Sequence, residues 1–126
     1  MKQILLPVIA LLLSITTLSQ NLNMQPGTFN QCSGVFYDSG GTNNYGNNEN
    51  IVMTICPDAG GDFIQLNFTL FSTQLNADVL TIYDGSDTTA PIIGSYSGGG
   101  PGNNPGVITA SQVNTSGCLK IGRAHV

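Results

Sequence analysis

Phe63-Ile64-Gln65-Leu66-Asn67-Phe68-Thr69-Leu70-Phe71 alternates apolar and polar side chains along its length. Successive side chains of a strand point to opposite faces, so this period of two predicts a β-strand with one buried and one wet face, carrying Ile64, Leu66, Phe68 and Leu70 inward. The pattern recurs at Asp78–Tyr83, where Leu80 and Ile82 share a face, and that run stops at Asp84-Gly85, a turn signal in which Gly accepts positive φ. Ile51–Ile55 is a short apolar run, and Pro91–Tyr96, Val107–Thr109 and Cys118–Ile121 are further candidate strands. Between them lie Gly34–Asn50, rich in Gly and Asn, the turn Asp58–Asp62, and the Gly/Pro/Asn loop Gly98–Gly106. Short strands separated by turns, with no amphipathic helix, predict an all-β sandwich or barrel.

The start of the chain reads as an export signal. Met1-Lys2 is positive, Ile4–Leu13 is apolar, and Thr17 and Ser19 are small residues suited to cleavage near Ser19-Gln20. The apolar stretch is shorter than the roughly 20 residues that a membrane helix needs. Residues 1–19 are therefore expected to be a signal peptide, with no membrane span after cleavage, and 20–31 a lead-in. The exported part holds all seven acidic residues and only Lys120 and Arg123 as bases. Such a surface repels phosphate backbones, which argues against nucleic acid as a partner.

Export makes disulfides the default state of Cys32, Cys56 and Cys118. A Cys32–Cys56 bridge would close a loop of about 24 residues, worth roughly 3–4 kcal/mol. An odd count leaves one thiol without a partner, either a free buried cysteine or one whose mate lies outside the sequence.

Catalytic constellations are not evident. The only histidine, His125, stands at the extreme end, so a Ser-His-Asp or Cys-His arrangement has no general base within the body of the domain. Asp58 with Asp62 and Asp84 with Asp87 sit in Gly-rich turns, where Asp bonds its own backbone. Gly98-Gly99-Gly100-Pro101-Gly102 lacks the Lys and the helix of a phosphate loop. The reading is of a protein that is not an enzyme.

The last six residues, Ile121-Gly122-Arg123-Ala124-His125-Val126, break the pattern that Cys118-Leu119-Lys120 begins. They coincide with the translation of a common sequencing adapter, ATC-GGA-AGA-GCA-CAC-GTC. Residues 121–126 are accordingly expected to be an assembly artefact, with the natural frame continuing past Leu119 or Lys120. A sandwich so truncated leaves an open sheet edge and an uncovered patch of core.

With these residues in view, the chain resembles a CUB domain, in the divergent form of secreted Bacteroidetes-type bacterial proteins. The resemblance runs from about Asn30 to Leu119. It rests on Cys32-Ser33-Gly34-x-Phe36-Tyr37-Asp38, on Tyr45, Asn50 and Cys56, on Ile64-x-Leu66-x-Phe68-x-x-Phe71, on Asp78-x-Leu80-x-Ile82-Tyr83-Asp84-Gly85, and on Ile93-Gly94-x-Tyr96. It implies an antiparallel β-sandwich of the jelly-roll type, incomplete at the C-terminus, spanning 32–120. It also implies Cys32 and Cys56 as the family's first disulfide and a mate for Cys118 at the missing end of the domain.

Tyr83, Asp84 and Gly85 are expected to form a structural turn, the ring packing at the strand end and the carboxylate accepting N–H bonds of the turn. Calcium-binding members place a Glu, an Asp and a late Asp around the ion. Here Gln74 stands at the Glu position and Asp78 matches the first Asp, so Asp78 is the sole metal-ligand candidate and calcium the sole cofactor candidate. The implied function is a non-catalytic extracellular module binding protein or glycan, a fragment of a larger secreted protein. The alternative is a carbohydrate-binding accessory module of a hydrolase or peptidase. Asp38, Tyr45, Asn47, Asn103 and Asn104, on the two long loops, are the candidate ligand contacts.

Overall fold

A computed structural model describes residues 20–125, and the expected signal peptide lies outside them. The described chain contains nine strands and no helix: β1 Leu22–Asn23, β2 Gly27–Gln31, β3 Phe36–Tyr37, β4 Ile51–Pro57, β5 Gln65–Asn67, β6 Asp78–Tyr83, β7 Ile92–Tyr96, β8 Val107–Thr109 and β9 Leu119–His125. One layer is a five-stranded sheet in the order β2-β4-β9-β6-β7, and the other comprises two separate pairs, β1-β3 and β5-β8. The sandwich and all-β class agree with the sequence. Two neighbouring pairs, β1 with β3 and β2 with β4, run parallel and the remainder are antiparallel.

Alternation positions the core. Met53 and Ile55 from β4, Leu80 and Ile82 from β6, and Leu119 and Ile121 from β9 are buried on one face of the larger sheet. They meet Leu22 and Met24 beside β1, Ile64 and Ile108 from the second layer, and partly buried Phe36, Leu66 and Phe68. The buried pattern of β6, with every second residue inside, follows from its sequence.

Four expectations change. The alternating stretch 63–71 yields only the three-residue β5, and Leu70 is 87% exposed. Beyond Phe68 the chain turns away from β8, and Phe71 rather than Leu70 packs inward, edge-on against Phe68 with ring centroids 6.2 Å apart. Residues 121–125 continue a strand instead of breaking it. Ile121 and Arg123 fall on the buried face of β9, which pairs with both β4 and β6.

The disulfide is Cys56–Cys118, not Cys32–Cys56. In the β4–β9 register Ile55 stands opposite Leu119, so Cys56 faces Cys118 at a Cα separation of 4.2 Å. Cys32 overshoots: β2 sets Asn30 beside Cys56 and ends at Gln31, so Cys32 lies past the strand's end, two residues beyond the partner of Cys56. It is the exposed free thiol, so the unpaired cysteine is Cys32 and Cys118 needs no mate from elsewhere.

Finally, Gly85 does not adopt positive φ. Its requirement is space, because a Cβ there would lie 2.5 Å from that of Ala90.

Candidate functional site

At one end of the sandwich the two long loops lean on a common support, the segment Ser72–Ala77. Tyr45 of the first loop accepts a hydrogen bond at its hydroxyl from the Gln74 N–H, at 3.0 Å. Thr73 bonds Gly98 of the second loop twice, its N–H donating to the Gly98 carbonyl and its Oγ1 accepting from the Gly98 N–H, each at 2.9 Å. Ser97 Oγ accepts the Asn76 N–H, and Ser72 forms a single bridge with Gly99. Residues separated by more than fifty positions thus share one support, of which Leu75 is 61% exposed.

The five loop candidates divide. Asp38 is half-buried and turns its carboxylate onto its own loop, accepting the Gly40 N–H at 2.8 Å. Asn104 accepts the Gly106 N–H at 2.8 Å, and Asn103 donates to the Gly99 carbonyl at 2.9 Å, so both shape their loop. Asn47 is exposed, and Tyr45 is half-buried beneath the Arg123 guanidinium, 3.9 Å above its ring. Sequence reasoning overlooked Leu75 and Asn76. The only signal available was the interruption of apolar alternation after Phe71.

Behind the loops lies a charged cluster. Arg123, almost wholly buried, pairs with Glu49 at 2.8 Å and lies 3.7 Å from Asp78, while Ser39 Oγ also bonds Glu49. His125 Nδ1 lies 2.9 Å from Asp78 Oδ1. The hydrogen bond from His125, reinforced by Tyr45 and the Arg123 charge, holds the Asp78 carboxyl below the usual carboxylate range against the opposing effect of burial. Burial, together with the Asp78 carboxylate, pushes the Tyr45 hydroxyl up.

This arrangement does not fit calcium. The ion takes six to eight oxygens with enough negative charge to offset its dehydration, whereas here the Asp78 carboxylate already faces the Arg123 guanidinium and the His125 ring, and Glu49 is committed to Arg123. Among the described residues no three His, Cys, Asp or Glu side chains converge as a metal site.

At the opposite end, Asp84 ties the β6–β7 turn to the loop before β9. Its N–H donates to the Pro91 carbonyl, and its Oδ1 accepts from the Ser111 N–H at 3.0 Å and from Asn114 Nδ2 at 2.9 Å. The carboxylate therefore binds a different loop, 27 residues on, rather than its own turn. Asn114 Nδ2 also reaches the Cys118 carbonyl at 2.8 Å, linking this network to the disulfide. The model of the CUB domain matches residues 26–116.

The chain belongs to the CUB domain family. The match begins within the turn before β2 and takes in both loops of the composite surface as well as Asp84 and Asn114. CUB domains are binding modules, and no helix among the described residues is long and apolar enough to cross a membrane.

The Asp84 network carries a pH prediction. Burial works to raise the Asp84 pKa, but the Ser111 and Asn114 hydrogen bonds outweigh it and the net shift is downward. A depressed carboxyl contributes stability that is complete above its unfolded value, near 3.9, and is lost as pH falls through the folded value. Asp84→Asn should therefore lower stability by about 1–3 kcal/mol at pH 7. The gap to the wild type should narrow below about pH 4, as the wild type loses its charge. Chemical denaturation of both proteins between pH 7 and pH 2.5 measures this; a gap constant with pH would remove the carboxylate from the account.

Proposed function

We propose that this CUB domain is a non-catalytic extracellular recognition module, binding protein or glycan through the surface formed by the loops 38–48 and 98–106 with Ser72–Ala77 between them. The observation that carries the reading is the convergence of those loops on one support, which gives adaptable Asn, Ser and Gly groups a fixed spacing around exposed Leu75. Loops held on a rigid β scaffold are where binding residues concentrate. The export signal at residues 1–19 supports an extracellular setting, and the acidic balance disfavours nucleic acid. The loop and support residues of this surface all lie within 38–106, and Arg123 braces the first loop from behind through Glu49 and the Gly46 carbonyl. We also infer that residues 121–126 derive from an adapter and that the natural frame continues into a larger secreted protein; sequencing the source genome through codon 120 checks this.

Immobilised exported chain, screened against a glycan array and against extracellular proteins of its source, tests the binding surface. Asn47→Ala with Leu75→Asp should weaken any ligand found at least about tenfold, the loss of a single interface contact group. Val113→Asp, 88% exposed at the opposite end, should leave it unchanged. The reverse pattern would place the site elsewhere. Binding confined to glycans would favour the accessory-module role, which the absence of Trp argues against.

A further inference from the structure

Two turn tips stand side by side where the second loop meets its support. In the first, the Gln74 carbonyl accepts from the Ala77 and Asp78 N–H groups at 3.1 and 2.9 Å, leaving Leu75 and Asn76 at the corner, Asn76 with φ 60°. The second is closed by the Asn103 N–H on the Gly100 carbonyl at 3.2 Å and carries exposed Pro101 and Gly102 at its corner. Gly98 joins the two. A Cβ on this buried residue would lie 2.8 Å from Leu75 Cδ1 and 3.1 Å from Asn103 Nδ2, so both tips border the same piece of backbone.

Neither corner is accounted for by the fold. Leu75 is 61% exposed although its turn is clamped from both sides, by the Gln74 N–H on the Tyr45 hydroxyl and the Asn76 N–H on Ser97 Oγ. An apolar side chain held in water on a fixed turn gains little from folding and loses little freedom when something covers it. Elsewhere in the loop, Gly98, Gly100 and Gly106 adopt positive φ, and Gly99 makes room for Ser72 Oγ. Gly102 has neither requirement: its φ is not positive, and nothing lies within 4 Å of the place a Cβ would take. Bare backbone under open space admits close approach by another chain.

The chemistry of the patch selects the class of partner. The segments 38–48, 72–77 and 98–106 contain no Lys or Arg, so an anion finds no cation there. Tyr45 is their one aromatic residue, and Arg123 covers a face of its ring, so a sugar finds no open ring to stack on. Asp38 accepts the Gly40 N–H, and Thr73, Ser97, Asn103 and Asn104 spend hydrogen bonds on the surrounding backbone. What remains at the two corners is uncharged, apolar and preorganised, which is the character of the centre of a protein interface.

We propose that the partner of this surface is a protein, whose uncharged apolar recess receives Leu75 and whose backbone closes over Gly102. This assignment rests on the reading of the loops as the binding surface and specifies the class of partner they take. Because no ionised side chain takes part, the contact is insensitive to salt.

Selection of phage-displayed random peptides on the immobilised 126-residue chain supplies the probe, and NMR titration with a selected synthetic peptide reads the site. Apolar peptides should be enriched, with an affinity that changes less than about twofold between low and high salt. Leu75→Asp and Gly102→Ala should each weaken that binding at least about tenfold, the scale of one leucine side chain removed from water. Gly102→Ala should leave the denaturation midpoint where it is, because the added methyl group meets nothing in the free chain. Peptides that bind regardless of both substitutions, or only at low salt, would overturn the proposal, as would failure to enrich any. Array glycans whose binding Asn47→Ala weakens, with no peptide seated on Leu75, would overturn it while keeping the loops as the binding surface. A ligand that none of the three substitutions affects would end both.

Discussion

Replacing Cys56 and Cys118 together by serine should lower the unfolding free energy by about 4 kcal/mol, whereas Cys32→Ser should change it by no more than about 0.5 kcal/mol. The first figure follows from the loop the bridge closes. The cysteines are 62 residues apart, and the entropy that a cross-link removes from the unfolded chain grows with the logarithm of that span. The bond also joins β4 to β9 where their ladder ends, holding together the two central strands of the larger sheet. The second figure follows from exposure, because Cys32 lies beyond the end of β2 and its sulfur makes no bridge. Urea unfolding of the three proteins measures both, and comparable losses from Cys32→Ser and the double variant would contradict the pairing.

Ile82→Ala should cost about 3–4 kcal/mol. Ile82 is fully buried in β6, opposite Ile121 of β9 and Gly94 of β7, so the deletion opens a cavity between the two layers that neighbouring strands cannot close. Its counterpart is Leu70→Ala. Alternation along 63–71 places Leu70 with the core, but at 87% exposure it has little apolar contact to lose, and the change should stay within about 0.5 kcal/mol. Denaturant midpoints for the two variants separate these cases, and a Leu70→Ala loss as large as that of Ile82→Ala would restore the simple alternating strand.

What the sequence conveys is uneven, for physical reasons. β6 coincides with the expected Asp78–Tyr83, and β4, β7 and β8 lie within a residue or two of the expected runs, because each carries a period-two or continuous apolar pattern bounded by turn residues. β1 and β2 lie within the stretch 20–31 expected only as a lead-in, where no run of apolar alternation marks them and β2 begins at a glycine. Disulfide pairing is a matter of register, and register between β4 and β9 joins residues about sixty positions apart that local patterning cannot align. The same limit hid the role of Asp84. Its turn was evident, but the partners of its carboxylate, Ser111 and Asn114, arrive from a distant loop.

The candidate surface shows the same division. Both loops were visible as Asn- and Gly-rich connections. Their meeting on Ser72–Ala77 depends on hydrogen bonds to Tyr45 and Thr73 that only the fold brings about. The acidic residues at 49 and 78 gave no hint that one buried guanidinium lies between them.

Non-reducing peptide mapping of the exported protein by mass spectrometry probes the assembled sandwich at its seam. A cross-linked peptide pair containing positions 56 and 118, with the sulfur at position 32 open to alkylation, is the predicted result. A pair linking 32 to 56 would contradict the β4–β9 register, and with it the arrangement of the larger sheet.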